Sequence, residues 1–153
     1  MNILIINGCN LNMLGSRELE IYGQETYQDL KKYIKNLSKE FNFKYKMVQS
    51  NYEGKIIDLI QVANKKYDAL IINPGAFTHY SYGIRDAIAG SNLKTIEVHL
   101  SNINNREEFR KTSVIKDVCI KQILGKHFES YKEAIETLIG GVNHAWLPIN
   151  NET

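Results

Sequence analysis

The chain alternates short apolar runs with stretches in which apolar residues recur every three or four positions. The runs are typical of buried strands, and they lie at residues 3–6, 45–49, 69–72, 95–98 and 118–124. The intervening stretches have the spacing of amphipathic helices, with apolar positions within residues 27–41, 56–63, 80–88 and 131–138. This alternation predicts a parallel sheet covered by helices on both faces.

Polar residues predict where several helices begin. Capping-box spacing occurs at Thr26 with Asp29, Ser50 with Glu53, and Ser130 with Glu133. Because right-handed crossovers leave few strand orders, we predict an α/β, flavodoxin-like three-layer sandwich with a five-stranded parallel sheet. Residues 1–153 are predicted to form a single domain. A polar tail is predicted from about residue 141, in which Trp146 is the residue suited to docking.

Composition narrows the class of protein. The chain has 153 residues, 43% hydrophobic and 24% charged, close to an average globular domain. A net charge of +2 and scattered lysines argue against nucleic acid as a partner, and no apolar run is long enough to cross a membrane. Cys9 and Cys119 are the only cysteines. A disulfide framework is therefore not expected, and the predicted location is the cytoplasm.

The loops at one edge of the sheet carry most of the candidate chemistry. In open parallel sheets, ligands bind outside the carboxyl ends of the strands. The segments that leave the first, third and fourth strands are residues 7–23, 73–81 and 99–110, and they are the richest in Asn, His, Arg and Ser. We predict that these segments converge on one cleft, which favours an enzyme.

The first of these segments is long and has no regular pattern, which is more typical of an active-site lid than of a spacer. We predict a lid over residues 8–24. Its hinges are predicted at Gly8, Gly15 and Gly23. Within it, the Arg17 guanidinium would favour the ionised form of the Tyr22 phenol, which makes Tyr22 a candidate base. An exposed arginine beside an anchoring tyrosine is the alternative.

The fourth strand ends in a candidate acid. Strand alternation places Glu97 and His99 on one face, so the carboxylate can bind the imidazole and fix its tautomer. A pair with a purely structural role is the alternative. His79 would complete a metal set with these two residues, but no spacing in the chain resembles a metal-binding signature.

Two features favour an anionic ligand. Residues 73–81 lead into a helix whose first N–H groups attract anions. In this segment, Asn73 and His79 are available to bind hydroxyls. A plain strand-to-helix turn is the alternative. Arg110 can bind a carboxylate through two hydrogen bonds or pair with Glu107 on a short helix. A second hypothesis is therefore a module that binds a flavin, nucleotide or other anion without catalysis, which rests on fold analogy alone.

Five motifs between residues 7 and 110 resemble the type II 3-dehydroquinate dehydratase (type II dehydroquinase) family. They are N-G-C-N-L-N-M-L-G-S-R-E-L-E-I-Y-G, Q-S-N-Y-E-G-K-I-I-D, I-I-N-P-G-A-F-T-H-Y-S, R-D-A-I and I-E-V-H-L-S-N-I-N-N-R-E-E-F-R. The resemblance implies conversion of 3-dehydroquinate to 3-dehydroshikimate and water in the shikimate pathway. The implied route is anti elimination through an enolate, without a cofactor. It also implies trimers assembled into dodecamers.

The resemblance implies a role for each candidate residue. Tyr22 would remove the proton alpha to the ketone, Arg17 would assist its ionisation, and Asn10 would stabilise the enolate through a water. His99, oriented by Glu97, would protonate the departing hydroxyl. The substrate's hydroxyls and carboxylate would be bound by Asn73, His79, Leu100, Ser101, Arg110 and, from a neighbouring subunit, Asp86.

The chain departs from the family pattern at three places. Proline is usual where Cys9 and Leu19 stand, and both changes are expected to loosen the lid. A glycine-rich G-F-G-x-x-G-Y pattern is replaced by G-K-H-F-E-S-Y, which introduces Lys126, His127 and Ser130. This third change is expected to affect local packing or assembly contacts. Every implied catalytic side chain is present, so activity is expected.

Overall fold

The sheet consists of five parallel strands in the order β2-β1-β3-β4-β5. The computed structural model of the chain describes residues 1–16 and 18–145, without the side chains of Tyr22 and residues 141–145. The strands are β1 Asn2–Asn7, β2 Lys44–Gln49, β3 Ala69–Asn73, β4 Lys94–His99 and β5 Lys121–Leu124. The predicted α/β class and flavodoxin-like strand order are confirmed.

Helices cover both faces of the sheet. They are α1 Leu19–Tyr22, α2 Tyr27–Phe41, α3 Glu53–Gln61, α4 Tyr82–Ser91 and α5 Glu129–Ala145. Ile3 and Ile5 of β1 pack with α2 and α5, whereas Leu4 and Ile6 pack with α3 and α4. Period-two alternation along β1 thus divides the core into two apolar layers. Within the described residues, no helix has the length and apolarity needed to cross a membrane.

Helix α2 begins as predicted. The Thr26 hydroxyl accepts a hydrogen bond from the Asp29 amide at 3.1 Å, and the Asp29 carboxylate accepts one from the Thr26 amide at 2.9 Å. This reciprocal capping box satisfies two of the N–H groups that a helix start leaves unpaired. It fixes α2 directly after the predicted lid.

The predicted capping box of Ser50 with Glu53 is wrong. Helix α3 begins without a side-chain cap, because the Glu53 carboxylate instead accepts a hydrogen bond from Ser81. Ser81 in turn caps α4. Tyr80 therefore precedes α4 and is 57% exposed, although its spacing had placed it on the buried face of that helix.

The predicted capping box of Ser130 with Glu133 is also wrong. Ser130 lies inside α5, and its hydroxyl donates to the carbonyl oxygen of His99 at 3.2 Å. The Glu133 carboxylate pairs with Lys121 at 3.1 Å. Both side chains connect α5 to the end of the sheet rather than to their own backbone.

Two boundaries differ from their predicted positions. Strand β5 begins at Lys121 rather than at residue 118 because Val118 ends a 3-10 helix, Lys116–Val118, and packs on the α3–α4 side of the sheet. Helix α5 continues to Ala145, so residues 141–145 are helical rather than part of a tail. Residues 146–153, with the predicted dock of Trp146, lie outside the described residues.

Candidate active site

The loops after β1 and β3 cross in close contact, and two glycines make the crossing possible. The Gly8 amide donates to the Asn73 carbonyl at 2.7 Å, and a Cβ on Gly8 would lie 2.1 Å from the carbonyl oxygen of Pro74. Gly75 has a φ of +64°, and a Cβ there would lie 2.7 Å from the carbonyl oxygen of Cys9. Only glycine fits such positions. The prediction of a hinge at Gly8 is therefore wrong, because this residue is packed against its neighbour.

The predicted lid is more regular than its sequence suggests. A 3-10 helix, Leu11–Met13, follows the crossing, and the buried side chains of Leu11 and Leu14 join the core beneath α2 and α5. The prediction of an irregular segment is wrong, because apolar anchors order its first half. Gly15 and Gly23 have φ values of +87° and +79°. A Cβ on Gly15 would lie 2.9 Å from the carbonyl oxygen of Gln24, so Gly15, like Gly8, is packed rather than a hinge. Gly23, directly after α1, has open space around it and remains a predicted hinge.

Besides Cys9, Asn10 and Leu11, the described part of the lid lines the site with Glu18. Its carboxylate lies 3.9 Å from the Arg106 guanidinium, and both residues line the cavity described below. The backbone of Tyr22 ends α1. Arg17 and the Tyr22 side chain lie outside the described residues, so their roles remain predictions.

Gln49, the last residue of β2, and Asn51, in the segment that follows, brace the first loop. Gln49 donates through Nε2 to the Gly8 carbonyl at 3.1 Å and to the Asn51 side-chain oxygen at 3.1 Å. That oxygen also accepts the Asn10 amide at 2.9 Å. These bonds hold Asn10, whose φ is +67°, at the cavity wall. The Q-S-N motif was the available signal for the brace, but its contact with the first loop cannot be read from local sequence.

The three polar loops enclose one cavity of about 120 Å³ at the carboxyl edge of the sheet. The predicted site residues that line it are Asn10, Asn73, His79, His99, Leu100, Ser101 and Arg110. Lining residues that the sequence did not single out are Cys9, Leu11, Glu18, Gly75, Ala76, Ile103 and Arg106. The predicted convergence of the three loops is confirmed.

Glu97 and His99 form a buried pair beside this cavity. The Nε2 atom of His99 lies 2.5 Å from Oε2 of Glu97, as strand alternation predicted. Glu97 is 0% exposed, and its oxygens also accept hydrogen bonds from the hydroxyls of Thr78 and Ser113. Since the carboxylate occupies Nε2, Nδ1 is the ring nitrogen left for a ligand in the cavity.

Opposing effects act on the pKa of Glu97. Burial alone raises it, because a low-dielectric interior disfavours the charged carboxylate. The hydrogen bonds from His99, Ser113 and Thr78 outweigh this effect and hold the pKa of Glu97 below its ordinary value. The carboxylate is therefore an ionised acceptor at neutral pH, and it stabilises a positive charge on the imidazole.

The second histidine of the cavity is held by backbone. The Nδ1 atom of His79 lies 2.8 Å from the carbonyl oxygen of Thr112, and the ring stacks edge-on against Phe109. A carbonyl only accepts, so Nδ1 carries the proton, and Nε2 of the neutral ring is an acceptor. Burial lowers the pKa of His79, which favours this neutral form.

A chain of buried polar groups orients Asn73. The Asn73 side-chain nitrogen donates to the Tyr131 hydroxyl at 3.1 Å, while its oxygen accepts the Gly75 amide at 3.2 Å. The Tyr131 hydroxyl in turn donates to Asn7 at 2.5 Å. With its oxygen and one N–H occupied, Asn73 presents a single N–H donor to the cavity.

Two guanidinium groups make one wall of the cavity cationic. Arg110 lies 3.1 Å from the Glu107 carboxylate and stacks 4.8 Å from the ring centre of Phe109. Arg106 donates to the Ser101 hydroxyl at 3.3 Å. The pairing of Arg110 with Glu107, which sequence left as an alternative, is therefore present. It leaves the guanidinium on the cavity wall, where the two arginines outnumber the one lining carboxylate, Glu18, and so favour an anionic ligand.

Asp86 does not line this cavity. It is exposed on α4 and borders a surface groove between α3 and α4. Within residues 1–16 and 18–145, no group of three or more His, Cys, Asp or Glu side chains is arranged to hold a metal ion. His79 and His99 instead direct ring nitrogens to a carbonyl and to a carboxylate.

Comparison with known proteins identifies similar molecules over almost the whole chain. The family model described as dehydroquinase class II matches residues 1–139. A 3-dehydroquinate dehydratase of Clostridium acetobutylicum is 51% identical over 138 residues, which cover 90% of this chain and 96% of that protein. The crystal structure of a type II dehydroquinase from Butyrivibrio crossotus superposes with a TM-score of 0.88 at 53% identity, covering 90% and 97% of the two chains.

Proposed function

The chain belongs to the class II dehydroquinase family, and we propose that it catalyses the dehydration of 3-dehydroquinate to 3-dehydroshikimate and water. Relatives that share about half of its residues carry the name of this enzyme. The hypothesis of a flavin- or nucleotide-binding module has no support among them. The pathway implied by the reaction is the shikimate pathway.

One observation carries the proposal. The Glu97–His99 pair borders a cavity that is also lined by the guanidinium groups of Arg106 and Arg110. An acid supported by a carboxylate suits the protonation of a departing hydroxyl. A cationic wall suits a substrate that bears a carboxylate. A cyclic hydroxy acid with a leaving hydroxyl matches both features.

The proposed reaction divides the proton transfers between two residues. The Tyr22 phenolate takes the proton alpha to the ketone, the C–H electron pair forms the carbon–carbon double bond of an enolate, and the carbonyl π electrons move to the oxygen. Asn10 stabilises that enolate, and Arg17 favours the phenolate. The enolate then re-forms the ketone and expels the hydroxyl, which takes a proton from His99 and leaves as water. Exchange with solvent restores both residues.

The remaining polar groups are proposed to position the substrate. Asn73 offers one N–H donor and the neutral His79 ring an acceptor, which suits hydroxyl groups on the substrate ring. Arg110, with the backbone of Leu100 and Ser101, is proposed to bind the carboxylate. Several fixed contacts to one small ring hold the reacting atoms in line, which is a large part of catalysis.

We also propose a homo-oligomer in which Asp86 serves a neighbouring copy. Asp86 is exposed and faces away from the cavity of its own chain. Tyr82, on the same helix, is 66% exposed, and Tyr52 beside α3 is 75% exposed. Aromatic side chains are frequent at protein interfaces. Trimers that assemble into dodecamers are the proposed state, and light scattering after size exclusion measures it directly.

The proposed location is the cytoplasm. Cys9 and Cys119 both have free thiols, which is usual for proteins in a reducing compartment. Fractionation of cells that express the chain from its own gene tests this location.

The activity is tested by mixing purified protein with 3-dehydroquinate and following the ultraviolet absorbance of the conjugated enone product. We expect a rise at neutral pH without an added cofactor. Tyr22→Phe should remove most of the turnover, because it lacks the ionisable oxygen, while Tyr33→Phe, on α2 and outside the cavity lining, serves as the matched control. Absence of enone formation across neutral pH would overturn the proposed function, and normal turnover in Tyr22→Phe would overturn the base assignment. Thermal stabilisation by FMN but not by 3-dehydroquinate would favour the binding module instead.

A further inference from the structure

Glu97 receives hydrogen bonds from three separate parts of the fold. His99 lies on the same strand, Thr78 belongs to the 3-10 helix Gly75–His79, and Ser113 follows the 3-10 helix Glu108–Lys111. The Thr78 hydroxyl lies 2.8 Å from Oε2 of Glu97. The Ser113 hydroxyl lies 2.9 Å from Oε1 and 2.8 Å from Oε2. A buried carboxylate with this many donors is held in one orientation.

The protons of this cluster can be counted. Ser113 and Thr78 have one hydroxyl proton each, and their oxygens lie 3.0 Å apart. When Ser113 donates to the carboxylate, Thr78 donates either to the carboxylate or to the Ser113 oxygen. In both arrangements Glu97 accepts from a hydroxyl and from His99. An ionised carboxylate, which only accepts, satisfies every group of the cluster.

The peptide around Ser113 is fixed on both sides. The Thr112 carbonyl accepts the His79 ring proton at 2.8 Å, and the Val114 amide donates to the Thr78 carbonyl at 2.8 Å. Residues 112–114 therefore contact His79 directly and support His99 through Glu97. One short segment sets the geometry of both histidines of the cavity.

We propose that Ser113 and Thr78 are positioning residues for the acid step: their hydroxyls hold Glu97 ionised and aimed at His99 Nε2, so that His99 keeps its second ring proton on Nδ1 for the departing hydroxyl. This inference rests on the proposed function. Neither Ser113 nor Thr78 lines the cavity. Both act on the reaction through the Glu97 carboxylate.

The ionisable groups around the Glu97–His99 pair determine how the loss of a hydroxyl would change the pH dependence of the rate. Besides the pair itself, the ionisable groups around it in the described residues are His79, Cys119, Cys9, Glu18, Arg106 and Arg110. Burial raises the pKa of Cys119 to about 12, so this thiol stays neutral in the working range. The arginines stay charged, and burial lowers the pKa of His79. The acid limb of the rate profile therefore reports on the proposed base Tyr22 and on Glu97 together with the histidines, so a shift caused by a lost hydroxyl is read relative to the wild type.

The experiment compares Ser113→Ala and Thr78→Val with the hydroxyl-retaining variants Ser113→Thr and Thr78→Ser. Values of kcat and KM are measured between pH 4 and 9. Loss of a hydroxyl that donates to a charged group should move the acid limb of kcat to higher pH by about one unit and lower kcat roughly tenfold. KM should stay within about twofold, since substrate contacts are unchanged. The hydroxyl-retaining variants should recover most of kcat and the normal limb.

Thr95→Val is the matched control. Thr95 lies on β4 with Glu97, is buried, and uses its hydroxyl only on the Leu93 carbonyl at 3.1 Å among the bonds of the described residues. It should keep the wild-type pH profile, although it also loses a buried hydroxyl.

Two outcomes would overturn the inference. Folded Ser113→Ala and Thr78→Val with the wild-type pH profile would overturn it, and so would an equal change in Thr95→Val, which would indicate general loosening. If Ser113→Ala does not fold, Ser113→Cys keeps a weak donor of similar volume and should give an intermediate shift. An inactive wild-type protein would instead overturn the proposed function, which distinguishes the two failures.

Discussion

Glu97 accepts the Nε2 proton of His99 across 2.5 Å, two residues apart on the same face of β4. This contact fixes the ring and leaves Nδ1 as the nitrogen that can exchange a proton with the cavity. A proton can be donated from Nδ1 only when both ring nitrogens are protonated. The buried carboxylate stabilises that cation, so the pair acts as one unit.

Replacement of Glu97 by glutamine should lower kcat by about 100-fold, because a neutral amide no longer stabilises the protonated ring. KM should change little, since Glu97 does not line the cavity. Steady-state rates from enone absorbance measure both constants. Glu133→Gln, which alters a carboxylate paired with Lys121 at the protein surface, is the control. Wild-type kcat in Glu97→Gln would show that the pair has only a structural role.

The same carboxylate predicts a loss of stability in acid. The pKa of Glu97 is lower in the folded protein than its ordinary value of 4.5, so the folded state gains stability above that value. This gain is lost as the pH falls from about 4.5 through the lower, folded pKa. Urea unfolding at pH 6 and pH 4 should show a smaller difference in Glu97→Gln than in the wild type. An equal difference would contradict the assignment.

The hydroxyl of Tyr131 should matter for substrate binding. Tyr131→Phe leaves the Asn73 N–H and the Asn7 oxygen without their partner in the core, at a cost of about 1–3 kcal/mol in the free energy of unfolding. The Asn73 amide also loses one of the two hydrogen bonds that orient it and keeps only the one from the Gly75 amide, so KM should rise more than kcat falls. Urea unfolding and steady-state kinetics measure these effects. Tyr33 is partly buried and packs on Phe128, and Tyr33→Phe should change neither the free energy of unfolding nor KM.

His127, which departs from the family pattern, is predicted to lower the free energy of unfolding. His127 has a φ of +50°, in the left-handed region where a side chain is unfavourable by about 1–2 kcal/mol. The family pattern has glycine at this position, and glycine removes the strain. It also raises the conformational entropy of the unfolded chain, which offsets part of the stabilisation. His127→Gly should therefore raise the free energy of unfolding by about 0.5–1 kcal/mol. His127→Ala should not, and a destabilised glycine variant would contradict the account.

The sequence predicted those parts of the fold that depend on local periodicity. Continuous apolar residues located β1 and β3, and right-handed crossovers led to the observed strand order. Alternation along β4 predicted the contact of Glu97 with His99 because neighbours two positions apart share a face. The loops after adjacent strands could be expected to meet for the same geometric reason.

Contacts between distant segments could not be read from the sequence. Ser130 has the spacing of a helix cap, yet its hydroxyl reaches the His99 carbonyl. Ser113 and Thr78 are ordinary loop residues until the chain brings them to Glu97. Gly8 resembles a hinge, yet it is fixed by its contact with Pro74. In each case the deciding partner is more than twelve residues away, beyond the reach of local patterns.

The most direct test of the account compares enone formation from 3-dehydroquinate by the wild type and by His99→Ala, with substrate binding measured by calorimetry on the same samples. We expect turnover in the wild type and a loss of at least about 100-fold in His99→Ala, with binding retained because Arg106 and Arg110 remain. Enone formation by His99→Ala at the wild-type rate, or none by the wild type, would contradict the account.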